Sequence, residues 1–150
     1  MNSHLIVVGK LKDDHISALE ENYLKRIKLP FKIHEVKAFG DSMMKEETEI
    51  KDRISSLSKN QSLKRILLTE KGKSFKSKEF ANLIENSQME NKDLIFVIGG
   101  ALGFREEFKA ESDFTLSLSE MTFPHRIARL LFVEQFYRAQ TIIQGHPYNH

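Results

Sequence analysis

Apolar and polar positions alternate along the chain in a way that separates short buried runs from amphipathic ones. Residues 5–9, Leu-Ile-Val-Val-Gly, predict a first strand. Asp13 or Asp14 then caps a helix with Ile16, Leu19, Tyr23 and Ile27 on one face, and Pro30 stops it. Residues 31–36 alternate with period two and predict a strand with one wet face. A polar helix follows over roughly residues 43–58, carrying Ile50, Ile54 and Leu57 inward. Residues 65–69 form a third strand, and Phe80, Leu83 and Ile84 mark the next helix. Leu94-Ile95-Phe96-Val97-Ile98 is the most apolar run and predicts a central strand covered on both faces. Residues 114–118 form a fifth strand, and a final helix runs from about His125 to Ile143.

Strands separated by helices predict a mostly parallel sheet between two helical layers, a three-layer α/β fold. The final helix has more apolar surface than one sheet face can hide: Ile127, Leu130, Leu131, Phe132, Val133, Phe136 and Tyr137 cover much of its circumference. Either it is deeply internal or it forms half of a dimer interface, and the size of the apolar surface favours the dimer.

Length and composition narrow the class. With 150 residues, 40% hydrophobic and 29% charged, the chain is expected to be a single globular domain over residues 1–150. It has no Cys, which excludes disulfide and thiolate chemistry and agrees with a reducing compartment. The apolar run near the start is four residues long, too short for a signal core or a membrane span, so the expected location is the cytoplasm. Net charge is +2, modest for a nucleic-acid binder, but residues 59–78 hold seven basic side chains (Lys59, Lys64, Arg65, Lys71, Lys73, Lys76, Lys78) against Glu70 alone. This is either a phosphate-binding patch or a solvated lysine surface.

In open α/β sheets, ligands sit beyond the carboxyl ends of the strands, and three turns occupy that position. They are residues 68–73 (Leu-Thr-Glu-Lys-Gly-Lys), 99–103 (Gly-Gly-Ala-Leu-Gly) and 119–124 (Ser-Glu-Met-Thr-Phe-Pro). The glycine turn is neither a P-loop, lacking the Lys-Ser/Thr, nor the dinucleotide fingerprint, whose spacing differs. By itself it could be a tight turn with no ligand. The six His residues show no metal-ligand spacing, and no metal is expected. Glu134 and Arg138 stand i, i+4 on the last helix, spaced for an ion pair or for an Arg that neutralises an anion. The chain ends in Gln-Gly-His-Pro-Tyr-Asn-His, dense in acid–base groups where termini are usually frayed and inert.

Taken in order, residues 68–73, Ile98 to Gly103, Ser117 to His125, Glu134 to Ala139 and His146-Pro147-Tyr148 resemble the bacterial 23S rRNA pseudouridine N3-methyltransferase family of the SPOUT class. The resemblance spans the whole chain. It implies a SPOUT-like fold with a C-terminal trefoil knot, a homodimer, and S-adenosyl-L-methionine as cofactor. It implies contacts to that cofactor from Leu68, Gly100, Ser119, Glu120, Met121, Thr122, Phe123 and Pro124. The implied substrate is a pseudouridine of 23S rRNA on the assembled ribosome, with Arg138, Tyr148 and His150, from one or both subunits, as candidates for the catalytic groups. The family commonly has a second His after the Pro-Tyr pair and then a basic residue; here Asn149 and His150 stand there instead. Two other readings keep the fold: a SPOUT enzyme acting on tRNA, and a ribosome-associated binding protein without turnover.

Overall fold

The computed structural model describes residues 1–58 and 62–149. In chain order the elements are β1 (Ser3–Val8), α1 (Asp14–Leu24), β2 (Phe31–Val36), α2 (Met43–Leu57), β3 (Leu63–Ser74), α3 (Ser77–Met89), β4 (Asp93–Ile98), α4 (Glu106–Ala110), β5 (Phe114–Ser117) and α5 (His125–Ile143). The strands form one sheet in the order β2-β1-β4-β3-β5, and every pairing is parallel. β4 lies in the middle and is buried along its full length, as its unbroken apolar run requires.

Period-two alternation along the strands sorts the core into two layers. Leu5, Val7, Leu94, Phe96 and Ile98 face α3 and α5, where Phe80, Ile84, Phe132 and Phe136 complete the packing. Phe96 and Phe132 meet at 4.8 Å between ring centroids, and Phe31 stacks on Phe136 at 4.3 Å. Ile6, Val8, Ile95 and Val97 face the opposite layer with Ile50, Ile54 and Phe108 from α2 and α4. α5 packs against both α1 and α3.

Several boundaries differ from the sequence pattern. α1 ends at Leu24, well short of Pro30, so Ile27 lies beyond it; Asp13 is its cap, accepting from the His15 and Ile16 amides at 3.0 Å. Leu19 does not join the inward face and is 45% exposed, while Glu20 beside it is buried. Glu20 is inward because Arg129 of α5 forks onto it at 2.8 and 2.9 Å and also reaches Glu35 at 2.6 Å. The apolar excess of α5 is largely internal: Phe132, Val133, Phe136 and Tyr137 are buried within the one chain. What remains half-covered is the stripe Ile127, Leu130, Leu131, Glu134, Arg138.

Candidate active site

β3 is longer than its apolar core predicts. It pairs with β5 up to Leu68, breaks register, and pairs again from Lys73, so residues 68–73 form an excursion within a strand rather than a turn after it. The Ser117 hydroxyl donates towards the Glu70 carbonyl at 3.2 Å and the Ser119 carbonyl at 2.9 Å, tying this excursion to the chain that leaves β5. The Ser119 hydroxyl in turn accepts from the Met121 amide at 3.0 Å. The third bend follows β4: the Gly103 amide closes on the Gly100 carbonyl at 3.0 Å, and Gly103 takes φ +76°, which favours glycine.

These three bends, far apart in sequence, meet at the carboxyl ends of β3, β4 and β5 around a cavity of about 410 Å³. Leu68, Gly100, Ser119, Met121, Thr122 and Phe123 line it; Glu120 and Pro124 do not. Pro124 instead occupies the N-cap of α5, its carbonyl accepting from the Ile127 and Ala128 amides, and so fixes where that helix starts. His125 and Ala128 bring the first turn of α5 into the wall.

Behind the glycine bend stands a feature the sequence pattern did not single out. Glu46, in the first turn of α2, and Glu47 after it are 3% and 2% exposed. Glu47 accepts from the Arg105 amide at 2.8 Å and from Arg105 Nε at 2.7 Å. Glu46 accepts from the Phe39 amide at 2.8 Å, and its second oxygen, Oε1, has no hydrogen-bond partner among the described residues. That oxygen lies against Gly100, so close that a Cβ there would collide with it. Only glycine fits between the Glu46 carboxylate and the cavity. A Cβ on Gly99 would meet the Phe104 ring at 2.8 Å. The bend is thus backed by the buried Glu46 carboxylate, with no room for a side chain at Gly99 or Gly100, and is followed by Arg105, which Glu47 holds. The signal available in sequence was the pair of acids at the N-terminal end of a helix, which reads as ordinary dipole complementarity.

The C-terminal groups assemble elsewhere. Glu134 Oε1 accepts from Arg138 Nε at 3.0 Å, from Arg138 Nη2 at 2.6 Å and from the Tyr148 hydroxyl at 3.1 Å. Asn149 Oδ1 accepts from Arg138 Nη1 at 3.1 Å, and the guanidinium lies 4.9 Å from the Tyr148 ring centre. Burial, a hydrogen bond with Tyr23 and the Glu134 carboxylate push the Tyr148 phenol above its ordinary pKa. The hydrogen bond from Arg138 to Glu134 raises the guanidinium pKa further. His150 lies outside the described residues. Arg138 is ten residues past Ala128, a rise of roughly 15 Å along α5, so within one chain this cluster stands apart from the cavity.

The basic stretch does not form one patch. Lys64 and Arg65, at the start of β3, pair with Glu90 and Glu111. Lys71 lines the cavity, and Lys73 lies over the Phe75 ring at 5.5 Å. Lys59 falls outside the described residues. Among the described residues no cluster of three or more His, Asp or Glu could hold a metal ion, and no helix is long and apolar enough to cross a membrane.

Comparison with known proteins bears on the family and the fold. A family model described as "Predicted SPOUT methyltransferase" matches residues 1–150. The chain is 47% identical over 146 residues to a ribosomal RNA large subunit methyltransferase H of Prochlorococcus marinus (strain NATL1A), covering 97% of this chain and 93% of that one. It is 39% identical over 159 residues to the protein of the same name from Clostridium botulinum (strain Langeland), with 99% of each covered. Among solved structures, a probable methylase family protein from Haemophilus influenzae Rd KW20 superposes with a TM-score of 0.59 over 99% of this chain and 70% of that one, at 12% identity, a likeness of fold. The match along its full length places the chain in the SPOUT methyltransferase family.

Proposed function

We propose that the chain methylates N3 of a pseudouridine in 23S rRNA, using S-adenosyl-L-methionine and acting on the assembled ribosome as a homodimer. The observation that carries this reading is the convergence of the three bends on one cavity walled by exposed backbone. Its walls suit the cofactor: Leu68, Ile98, Leu118 and Phe123 offer apolar surface for an adenine, and the bare backbone at Gly99 and Gly100 admits polar groups at close range. Met121 and Thr122 complete the mouth. Glu120 and Pro124 act through the loop they belong to. The knot of the family falls in this same C-terminal part of the chain.

The bound cofactor supplies an electrophilic methyl, so the protein's main task is alignment. The imide N3–H of pseudouridine must lose its proton for that nitrogen to act as nucleophile. Arg138 carries a permanent charge that favours the N3 anion. Tyr148 holds its proton at neutral pH and serves as a hydrogen-bond donor rather than as the base. His150, next in the tail, is the remaining candidate for proton removal. A second subunit accounts for the distance between the Arg138 cluster and the cavity, with the tail of one chain completing the cavity of the other. The half-covered stripe from Ile127 to Arg138 has the spacing of a helix-packing surface and supports that arrangement.

The test is to incubate ribosomes lacking the modification with protein and tritiated cofactor, then map the label. Incorporation at a large-subunit pseudouridine is expected. Label in tRNA instead, or co-sedimentation with ribosomes and no label, would replace this reading with one of its two rivals. Light scattering should give twice the chain mass. The reading also places the protein in the cytoplasm, where ribosomes are.

A further inference from the structure

Beside the cofactor cavity lies a second cleft of about 290 Å³, between the loop after β1 (residues 9–13) and the start of α5. Lys10, Lys12, His125 and Arg126 line its mouth, Arg129 its floor, and Asp13 one side. His125 lines the cofactor cavity as well, so the two openings share a wall.

Charge is sorted unevenly here. Asp13 in the lining, and Glu35 and Glu20 around Arg129, are engaged within the fold. Asp13 accepts from the His15 and Ile16 amides as the cap of α1. Glu35 accepts from the Leu11 amide at 2.9 Å and from Arg129, and Glu20 takes the other side of Arg129. The cations at the mouth are not so spent. Lys10 and Lys12 have no carboxylate within salt-bridge distance among the described residues, and Arg126, with a 59% exposed side chain, has only Asp13 at 3.8 Å. The floor is also rigid, because the Glu35–Leu11 bond fastens the loop to the Arg129 network.

We propose that this cleft binds a phosphodiester of the RNA strand adjoining the target nucleotide, through Lys10, Lys12 and Arg126. Two lysines with no ion-pair partner among the described residues and an arginine held only by a long contact to Asp13 suit a phosphate, whose recognition is set by charge and position rather than sequence. A phosphate held there puts its neighbouring nucleoside over the cavity across the shared His125 wall. The inference rests on the RNA methylation reading above and adds where the strand is gripped.

The experiment compares the wild type, Lys10→Ala/Lys12→Ala/Arg126→Ala, and a control at the other end of the strands, Lys64→Ala/Lys92→Ala. The replaced side chains in the cleft are exposed, and calorimetry with S-adenosylmethionine reports whether each variant is folded. Ribosome affinity is measured against salt, alongside affinity for a single-stranded RNA oligonucleotide. The cleft variant should bind both RNA probes about tenfold more weakly and lose about 0.7 from the salt slope per contact removed. Its cofactor affinity should stay within about twofold of wild type. Equal affinity and slope in the cleft variant and the control would overturn the proposal. So would weaker ribosome binding with unchanged oligonucleotide binding, which would make the cleft a contact for ribosomal protein. Failure of the wild type to transfer methyl would count against the methylation reading, while the oligonucleotide measurements would still judge the cleft.

Discussion

The cavity at the strand ends and the Glu134–Arg138–Tyr148 cluster are built on opposite principles. The cavity is a backbone object: three bends, two of them tied by the Ser117 hydroxyl, with glycine where the buried Glu46 carboxylate stands close behind. The cluster is a side-chain object on the outer half of α5, a charged fork and a phenol on one carboxylate oxygen, with the Asn149 amide oxygen on the fork's other nitrogen. A wall of backbone holds a ligand by shape and tolerates little change in volume. A cluster of polar side chains moves charge and protons, and it can be supplied by a different chain. Under the proposed function, the difference separates holding the methyl donor from preparing the nucleophile.

That separation is broken most severely at Gly100. In Gly100→Val the new side chain meets the buried Glu46 carboxylate, so either the bend moves into the cavity or Glu46 loses its place and the Phe39 amide its partner. Overpacking and a displaced buried acid each cost about 1–3 kcal/mol. Cofactor affinity by calorimetry should fall by a hundredfold or more, and the melting temperature should fall as well. Retained affinity would show that the cavity is not the cofactor site.

Arg138→Met tests the other half. It should lower methyl transfer by about 10²-fold, the scale for removing one charge-stabilising group, while cofactor affinity stays within about twofold. A parallel loss of affinity would merge the two regions into one. Mixing Arg138→Met chains with Gly100→Val chains sharpens the point: if tail and cavity come from different subunits, mixed dimers regain activity that neither variant has alone.

A smaller effect is expected at Glu47. Glu47→Gln keeps the shape but gives up the charge on the Arg105 bonds, which lie just beyond the glycine bend. Charge-assisted bonds of this kind contribute about 1.5–3 kcal/mol. Part of that loss should appear as a several-fold rise in the cofactor dissociation constant with unchanged maximal turnover. A drop in stability with no change in cofactor affinity would make Glu47 a pillar of α2 alone.

The two regions were also unequally legible in sequence. β2 and α5 have the bounds their patterns predict, because continuous period-two and helical runs carry their own register. The convergence of residues 68–73, 99–103 and 119–124 came from family resemblance, since a glycine turn has no ligand written in it. Leu19, expected inward, is exposed, while Glu20 beside it is buried because a partner 109 residues away, Arg129, makes an inward acid stable. Glu46 and Glu47 escaped for the same reason: an acid reads as solvent-facing until its partner, here the backbone of two distant loops, is known. α4 went unread because its five residues are too few to show a helical period.

The smallest predicted effect lies at the opposite ends of the strands and serves as a control on the comparison. His4 Nδ1 and His34 Nε2 share a hydrogen bond of 2.9 Å, with Arg53 of α2 at 3.4 Å on the outer nitrogen of His34. Burial, then the His4 ring, Arg53 and Lys32 push His34 from 6.5 down to about 4; burial and Lys32 lower His4 against the pull of Asp93. Both folded values lie below the unfolded one, so the unfolded chain takes up protons first as pH falls. The stability from neutral imidazoles is complete above about pH 6.5 and is lost between there and about pH 4, on the order of 1–2 kcal/mol. Denaturant midpoints should fall over that window, and a His34→Phe variant, with no imidazole to charge, should flatten the dependence. Because the pair touches neither cavity nor tail, cofactor affinity of the protein still folded should not follow the same curve. If it did, the ends of the sheet would be coupled, and the cavity would depend on more than its three bends.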